Sequence, residues 1–108
     1  MKIINVNRVL TPQQILDHLT RNLNPLFYGH RQTDMNFVME QKGDGVEISQ
    51  PEVYEGFLFR IEPHGAELWI TRSEHYVDDV NSLALESVLN QLFEDMSGNK
   101  GVKIALEG

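Results

Sequence analysis

Apolar residues at helical spacing mark two segments of the chain as amphipathic helices. In the first segment, Thr11 is placed as the N-cap, Pro12 takes the first helical position, and Gln14 completes a capping box. Pro25 is expected to end this helix, because the residue before a proline disfavours helical backbone. The pattern therefore predicts a helix that begins at Pro12 and a loop over residues 26–34.

The second helical segment follows His75, where the hydrophobic period lengthens from 2 to about 3.6 residues. Asp78 or Asp79 can cap its positive end, and Gly98 is placed to stop it. Its apolar stripe is widened by valine and phenylalanine and consists of Leu85, Val88, Leu89, Leu92, Phe93 and Met96.

Between the helices, apolar and polar residues alternate in a way that predicts four consecutive strands. Turn chemistry separates them at Gly43-Asp44-Gly45 and at Pro63-His64-Gly65. A short strand is also expected at each end of the chain. The order β-α-β-β-β-β-α-β predicts an α+β fold, with a mainly antiparallel sheet and both helices packed on one face. The pattern leaves open how the terminal strands pair.

Length and composition describe an ordinary globular chain. Its 108 residues suit one α+β domain over 1–108, and a hydrophobic share of 41% argues against disorder. The absence of cysteine excludes disulfides, thiolate metal sites and cysteine nucleophiles. The chain shows neither a secretory signal nor an apolar run near the roughly 20 residues that span a bilayer. We therefore expect a cytoplasmic protein without a membrane partner.

Acidic residues are concentrated in the middle and late parts of the chain. The net charge is −7, and residues 40–95 hold most of the acids against only Lys42, Arg60 and Arg72. Such a charge disfavours direct binding of nucleic acid, because that binding depends on neutralising phosphates. It suits a basic protein partner instead.

The four histidines lack the spacing of a metal site. Histidines that share one ion usually lie three or four residues apart on a helix, or two apart on a strand. His18, His30, His64 and His75 are much farther apart, on different predicted elements, and His18 is expected to face solvent. We therefore expect no metal site and no cofactor. An alternative is a small enzyme or ligand-binding domain in which His30, His64 and His75 meet on the sheet as acid–base groups.

Other catalytic arrangements have little support. None of the serines sits in a G-x-S-x-G turn, and the glycine pairs lack the surroundings of a phosphate-binding loop. Glu62 and Glu67 flank the predicted second hairpin and could face each other, which would matter only if they were buried. We favour exposed, separated carboxylates, so the sequence assigns no catalytic residue.

Trp69 is out of phase with the apolar residues around it. Leu68 and Ile70 share the predicted core side of their strand, which places Trp69 on the outer sheet face, with Leu58 and Val38. An exposed aromatic residue among acids is typical of a protein-contact surface. The alternative is that the segment 23–31 folds over the indole ring.

These observations favour a small acidic protein that acts by binding another protein. Its partner would be a basic, nucleic-acid-binding protein that it regulates, as inhibitors, immunity proteins and phage accessory proteins do. The alternative is self-association as a homodimeric structural protein. The predicted contact residues combine aromatic anchors with acids: Tyr54, Glu62, Glu67, Trp69, Tyr76, Asp78 and Asp79.

Overall fold

The computed structural model describes residues 2–31, 35–74, 79–97 and 103–106. It confirms the predicted α+β class and element order. The elements are β1 (Lys2–Asn5), α1 (Pro12–Arg31), β2 (Val38–Lys42), β3 (Gly45–Ser49), β4 (Phe57–His64), β5 (Glu67–Arg72), α2 (Val80–Ser97) and β6 (Lys103–Leu106).

The six strands form one antiparallel sheet in the order β2-β3-β4-β5-β1-β6. The four middle strands follow each other as a meander, as predicted. The first strand then inserts between β5 and the last strand, so that Ile4 pairs with Leu68 on one side and with Ile104 on the other. The terminal strands therefore pair with each other, which the sequence pattern alone left open.

Both helices contribute their apolar stripes to one hydrophobic core on one side of the sheet. From the sheet, this core takes Ile4, Ile61 and Leu68, each at most 1% exposed. The helix α2 supplies the predicted stripe, of which Leu85, Val88, Leu89, Leu92 and Phe93 are buried. The structure does not describe the Met96 side chain, and Gly98 lies outside the described residues.

The helix α1 runs through Pro25 and ends at Arg31, so the predicted helix end and the predicted loop over 26–31 are wrong. Proline removes one backbone hydrogen bond, at a cost of about 3 kcal/mol in a helix interior. The helical period nevertheless continues past it: Leu23 and Phe27 are both fully buried, and Phe27 packs edge-on against Phe37 with ring centroids 4.8 Å apart. The burial of Phe27, one turn after Leu23, outweighs the tendency of Pro25 to end the helix.

Side-chain caps start both helices. At α1, the Gln14 N–H donates to Thr11 Oγ1 at 3.1 Å, and the Thr11 N–H donates to Gln14 Oε1 at 2.9 Å, as the predicted capping box requires. At α2, Asp79 Oδ1 accepts the Ser82 N–H at 2.8 Å. Of the two predicted caps, Asp79 therefore forms the N-cap of α2, whereas Asp78 lies outside the described residues.

The two predicted hairpins form, but the second turn lies later in the chain than predicted. Gly65 and Ala66 make that turn, with Gly65 at a φ of +62°, and His64 pairs with Glu67. Pro63 belongs to β4 instead. A proline is tolerated there because β4 extends past the Val46–Ile61 pair that ends its pairing with β3.

Candidate functional site

The two sides of the sheet carry different residues, because successive side chains on a strand point to opposite faces. Neither α1 nor α2 lies on the side opposite the core. Strand register brings charged and aromatic residues together on that side, which we call the open face. Its members on the described strands include Ile3, Val38, Glu40, Glu47, Arg60, Glu62, His64, Glu67, Trp69 and Thr71.

Trp69 lies near the middle of the open face and is partly exposed. It pairs with Glu62 on one side and with Ile3 on the other. The segment 23–31 does not cover it, because that segment is the second half of α1 and packs on the opposite side of the sheet. The structure thus places Trp69 on the outer face, as its phase predicted.

Trp69 forms a compact cluster with two side chains from the β4–β5 hairpin. Its indole Nε1–H donates to Glu67 Oε1 at 3.2 Å. The His64 ring stacks against the indole, with centroids 4.0 Å apart and planes inclined by 31°. Glu67 pairs with His64 and Glu62 pairs with Trp69, so the two carboxylates are diagonal neighbours that do not face each other.

Arg60 carries the central positive charge of the open face. Its guanidinium lies 3.2 Å from Glu47 and 3.7 Å from Glu62, and it donates to the Lys42 carbonyl at 3.0 Å. Gly45 makes room for it, because a Cβ atom at this position would lie 2.9 Å from the Arg60 Cζ. The sequence pattern predicts only a turn role for Gly45; a glycine at the first position of a strand is the signal for its second role.

A cleft of about 370 Å³ opens on the β2 side of the same face. The strand register shifts at Ile48/Ser49, beside this cleft, since Ser49 pairs with Phe57 and Ile48 with Phe59. This irregularity turns Leu58 into the core, where it is 1% exposed, so its predicted place beside Trp69 is wrong. The cleft is lined by Glu40, Lys42, Glu47, Ser49, Pro51, Gly56 and Phe57.

Tyr54 and Asp79, both predicted as contact residues, instead join a loop to the start of α2. Tyr54 is only 8% exposed, and its hydroxyl donates to Asp79 Oδ2 at 2.7 Å. Burial, and then this hydrogen bond, raises the pKa of Tyr54. Burial alone would raise the pKa of Asp79, but hydrogen bonds from the Ser82 backbone and from Tyr54 outweigh it and lower the pKa. Neither residue lies on a strand of the open face, and Tyr54 is a buried member of the hydrophobic core cluster, so its anchor role stays a prediction.

The remaining predicted contact residues divide into two groups. Glu62, Glu67 and Trp69 lie together on the open face. Tyr76 and Asp78 fall outside the described residues.

The histidines show no common site. His18 is half-buried, with Nε2 3.1 Å from the Leu92 carbonyl oxygen, rather than facing solvent as predicted, because α1 and α2 pack side by side. His30 is exposed in the last turn of α1, whereas His64 lies on the open face, across the sheet from that helix. His75 is outside the described residues. Within those residues, no three His, Asp or Glu side chains are grouped as metal ligands.

Neither described helix is long and apolar enough to cross a bilayer. No family model, no curated protein and no solved structure matches this chain.

Proposed function

We propose that this chain is a protein-binding domain that docks a basic surface of a partner protein onto its open face, with Trp69 as the main anchor. One observation carries the proposal. A partly exposed tryptophan donates a hydrogen bond to the Glu67 carboxylate and pairs with Glu62 in the strand register, on a sheet face that neither helix packs against. Tryptophan is enriched among the few residues that supply most of the affinity of a protein interface.

The charges of the open face support a basic partner. Two of its cations already have acidic neighbours: Arg60 lies between Glu47 and Glu62, and Lys42 lies 4.0 Å from Glu40. Among the described residues, no lysine or arginine nitrogen comes within 4.0 Å of Glu67. Among the described side chains, Glu67 therefore has no compensating cation beside the aromatic anchor. With a net charge of −7, the whole chain adds a long-range attraction for basic proteins.

The proposed role is regulation by occlusion. A basic surface that binds nucleic acid depends on its lysines and arginines to neutralise phosphates. A domain that covers those residues with its own carboxylates competes directly with the nucleic acid. Inhibitor, immunity or phage accessory activity would each use this competition, and the partner would decide between them.

Site-specific photocrosslinking tests the proposal. A benzophenone amino acid replaces Thr71, which lies on the open face two residues from Trp69. The matched control carries the same group at Tyr28, an exposed aromatic position on α1. Both proteins are irradiated in lysate of the native host, and crosslinked species are identified by mass spectrometry. We expect the Thr71 probe to capture a basic protein that the Tyr28 probe does not capture.

Two further conditions make the result specific. The crosslink is expected to disappear in Trp69→Ala and at about 1 M salt, where the Debye length falls to about 3 Å. A crosslink that survives Trp69→Ala, or that forms equally from position 28, would contradict docking at the open face. A crosslink from position 71 to a second copy of the chain would instead support the homodimer.

A further inference from the structure

We propose that the indole of Trp69 receives an arginine side chain of the partner, and that His64 occupies this position in the free protein. The inference rests on the proposed function and specifies the chemical group that the site recognises. The observation behind it is the stacking of the His64 imidazole on the indole, with centroids 4.0 Å apart. A flat nitrogen-containing ring already lies on the aromatic surface, where a guanidinium group would also stack.

The carboxylates around the indole are placed to bind such a group. The Trp69 Nε1–H fixes Glu67 Oε1 beside the edge of the indole ring, at 3.2 Å. Within the described residues, Glu67 Oε2 accepts no hydrogen bond. Glu62 lies across from Trp69, and its contact with Arg60 is long, at 3.7 Å. Glu67 thus retains acceptor capacity beside the indole, and Glu62 retains it on the neighbouring strand.

Arginine fits this arrangement better than lysine. Its guanidinium is planar, so one face can stack on the indole while the N–H groups at its edge reach carboxylate oxygens. Lysine offers a compact, strongly hydrated ammonium group that cannot stack in this way. A site that combines one indole with the carboxylate of Glu67, and with Glu62 on the neighbouring strand, therefore favours arginine over lysine.

His64 is weakly held and can be displaced. It is exposed, it lies next to the turn at Gly65, and its ring makes no hydrogen bond to another described residue. Stacking on Trp69 is thus its main side-chain contact. Aromatic pairs of this kind contribute about 0.5–1.5 kcal/mol, which corresponds to roughly a two- to tenfold change in an equilibrium constant. Removal of His64 should strengthen arginine binding by a factor within this range.

Trp69 is the only tryptophan, so its indole N–H gives a single resonance in a ¹H–¹⁵N correlation spectrum. The full chain is titrated with N-acetyl-arginine amide and, separately, with N-acetyl-lysine amide at constant ionic strength. We expect a saturable shift of the indole signal with the arginine probe and a much smaller, linear shift with the lysine probe. His64→Ala should lower the arginine dissociation constant roughly two- to tenfold.

Two carboxylate variants separate specific recognition from general charge. Glu67→Gln should weaken arginine binding, whereas the control Glu40→Gln, which removes an acid elsewhere on the open face, should leave it nearly unchanged. The rest of each spectrum verifies that the variants stay folded. Equal responses to both probes, or an unchanged or weaker affinity in His64→Ala, would overturn the proposal. This titration needs no partner protein. A negative result would therefore rule out arginine recognition by Trp69 without deciding whether the open face binds a partner, which the crosslinking experiment tests separately.

Discussion

The two faces of one sheet differ in nearly every property that matters for function. On the helix side, Ile61 and Leu68 are almost completely buried in the core. One residue farther along the same strands, Glu62 and Trp69 lie on the open face and stay partly exposed. Because side chains alternate along a strand, neighbouring residues serve either the core or the exposed face. Substitutions on the helix side should therefore mainly reduce stability, whereas substitutions on the open face should mainly reduce binding.

Ion pairs also differ between the two faces. On the helix side, Lys2 lies 2.8 Å from Glu86, which also contacts Arg72, so these charges tie β1 and β5 to α2. On the open face, Arg60 connects Glu47 and Glu62 within the sheet itself. The first group joins layers of the fold, whereas the second arranges charge on a surface.

The largest expected effect is on the helix side. Phe59→Ala should lower the free energy of unfolding by about 3–5 kcal/mol, because the ring is 1% exposed and its removal leaves a cavity. Trp69→Ala removes a larger ring from a partly exposed site and should cost no more than about 1 kcal/mol. Urea denaturation of both variants measures the difference. Equal losses would show that Trp69 is part of the core.

An intermediate effect is expected where the loop before β4 meets α2. Asp79→Ala should cost about 1–2 kcal/mol, because Asp79 both caps the helix and accepts the Tyr54 hydroxyl. Tyr54→Phe, which keeps the ring and removes only the hydroxyl, should cost about 1 kcal/mol. In a double-mutant cycle, the sum of the stability losses of the two single variants should exceed the stability loss of the double variant. Full additivity would indicate that the hydrogen bond contributes nothing.

A smaller effect with a defined pH dependence is expected for Lys2. Burial alone would raise the pKa of Glu86, but the hydrogen bond and charge of Lys2, followed by the charge of Arg72, lower it. A carboxylate with a lowered pKa stabilises the fold at pH values above its ordinary pKa, 4.5. This contribution is lost as the pH falls through the lowered pKa. Lys2→Met should therefore cost about 1 kcal/mol at pH 7.

Denaturation at several pH values tests this assignment. The stability of Lys2→Met and wild type should converge as the pH falls below 4.5. A difference that stays constant with pH would mean that Lys2 acts through packing rather than through its charge.

The smallest expected effect on stability lies on the open face. Glu67→Gln should change the free energy of unfolding by less than about 0.5 kcal/mol, because the residue is partly exposed and has no cation partner among the described residues. The same substitution should reduce capture of the proposed partner. A large loss of stability would place Glu67 among the structural residues instead.

Local patterns in the sequence were sufficient for the element order, the α1 capping box and the phase of Trp69. Each depends on neighbours within a few residues, such as the reciprocal bonds of Thr11 and Gln14. The strand alternation that buries Leu68 and Ile70 requires Trp69 to point the other way.

Features that depend on distant residues could not be predicted in this way. The helix passes Pro25 because Phe27 packs against Phe37, a contact between separate elements. Leu58 enters the core because a register shift with β3 changes the phase of β4. The stacking of His64 on Trp69 requires a turn at Gly65 and Ala66, later in the chain than the turn predicted over residues 63–65.

Fluorescence quenching of Trp69 tests most directly whether the indole is exposed in an acidic setting. Quenching by cesium and by iodide ions is measured at equal ionic strength, each relative to free N-acetyl-tryptophan amide. We predict that cesium retains a larger share of its quenching than iodide, and that Glu67→Gln narrows the difference, because the carboxylates attract the cation. If neither ion quenched the emission, or if iodide retained the larger share, Trp69 would not be an exposed anchor for a basic partner.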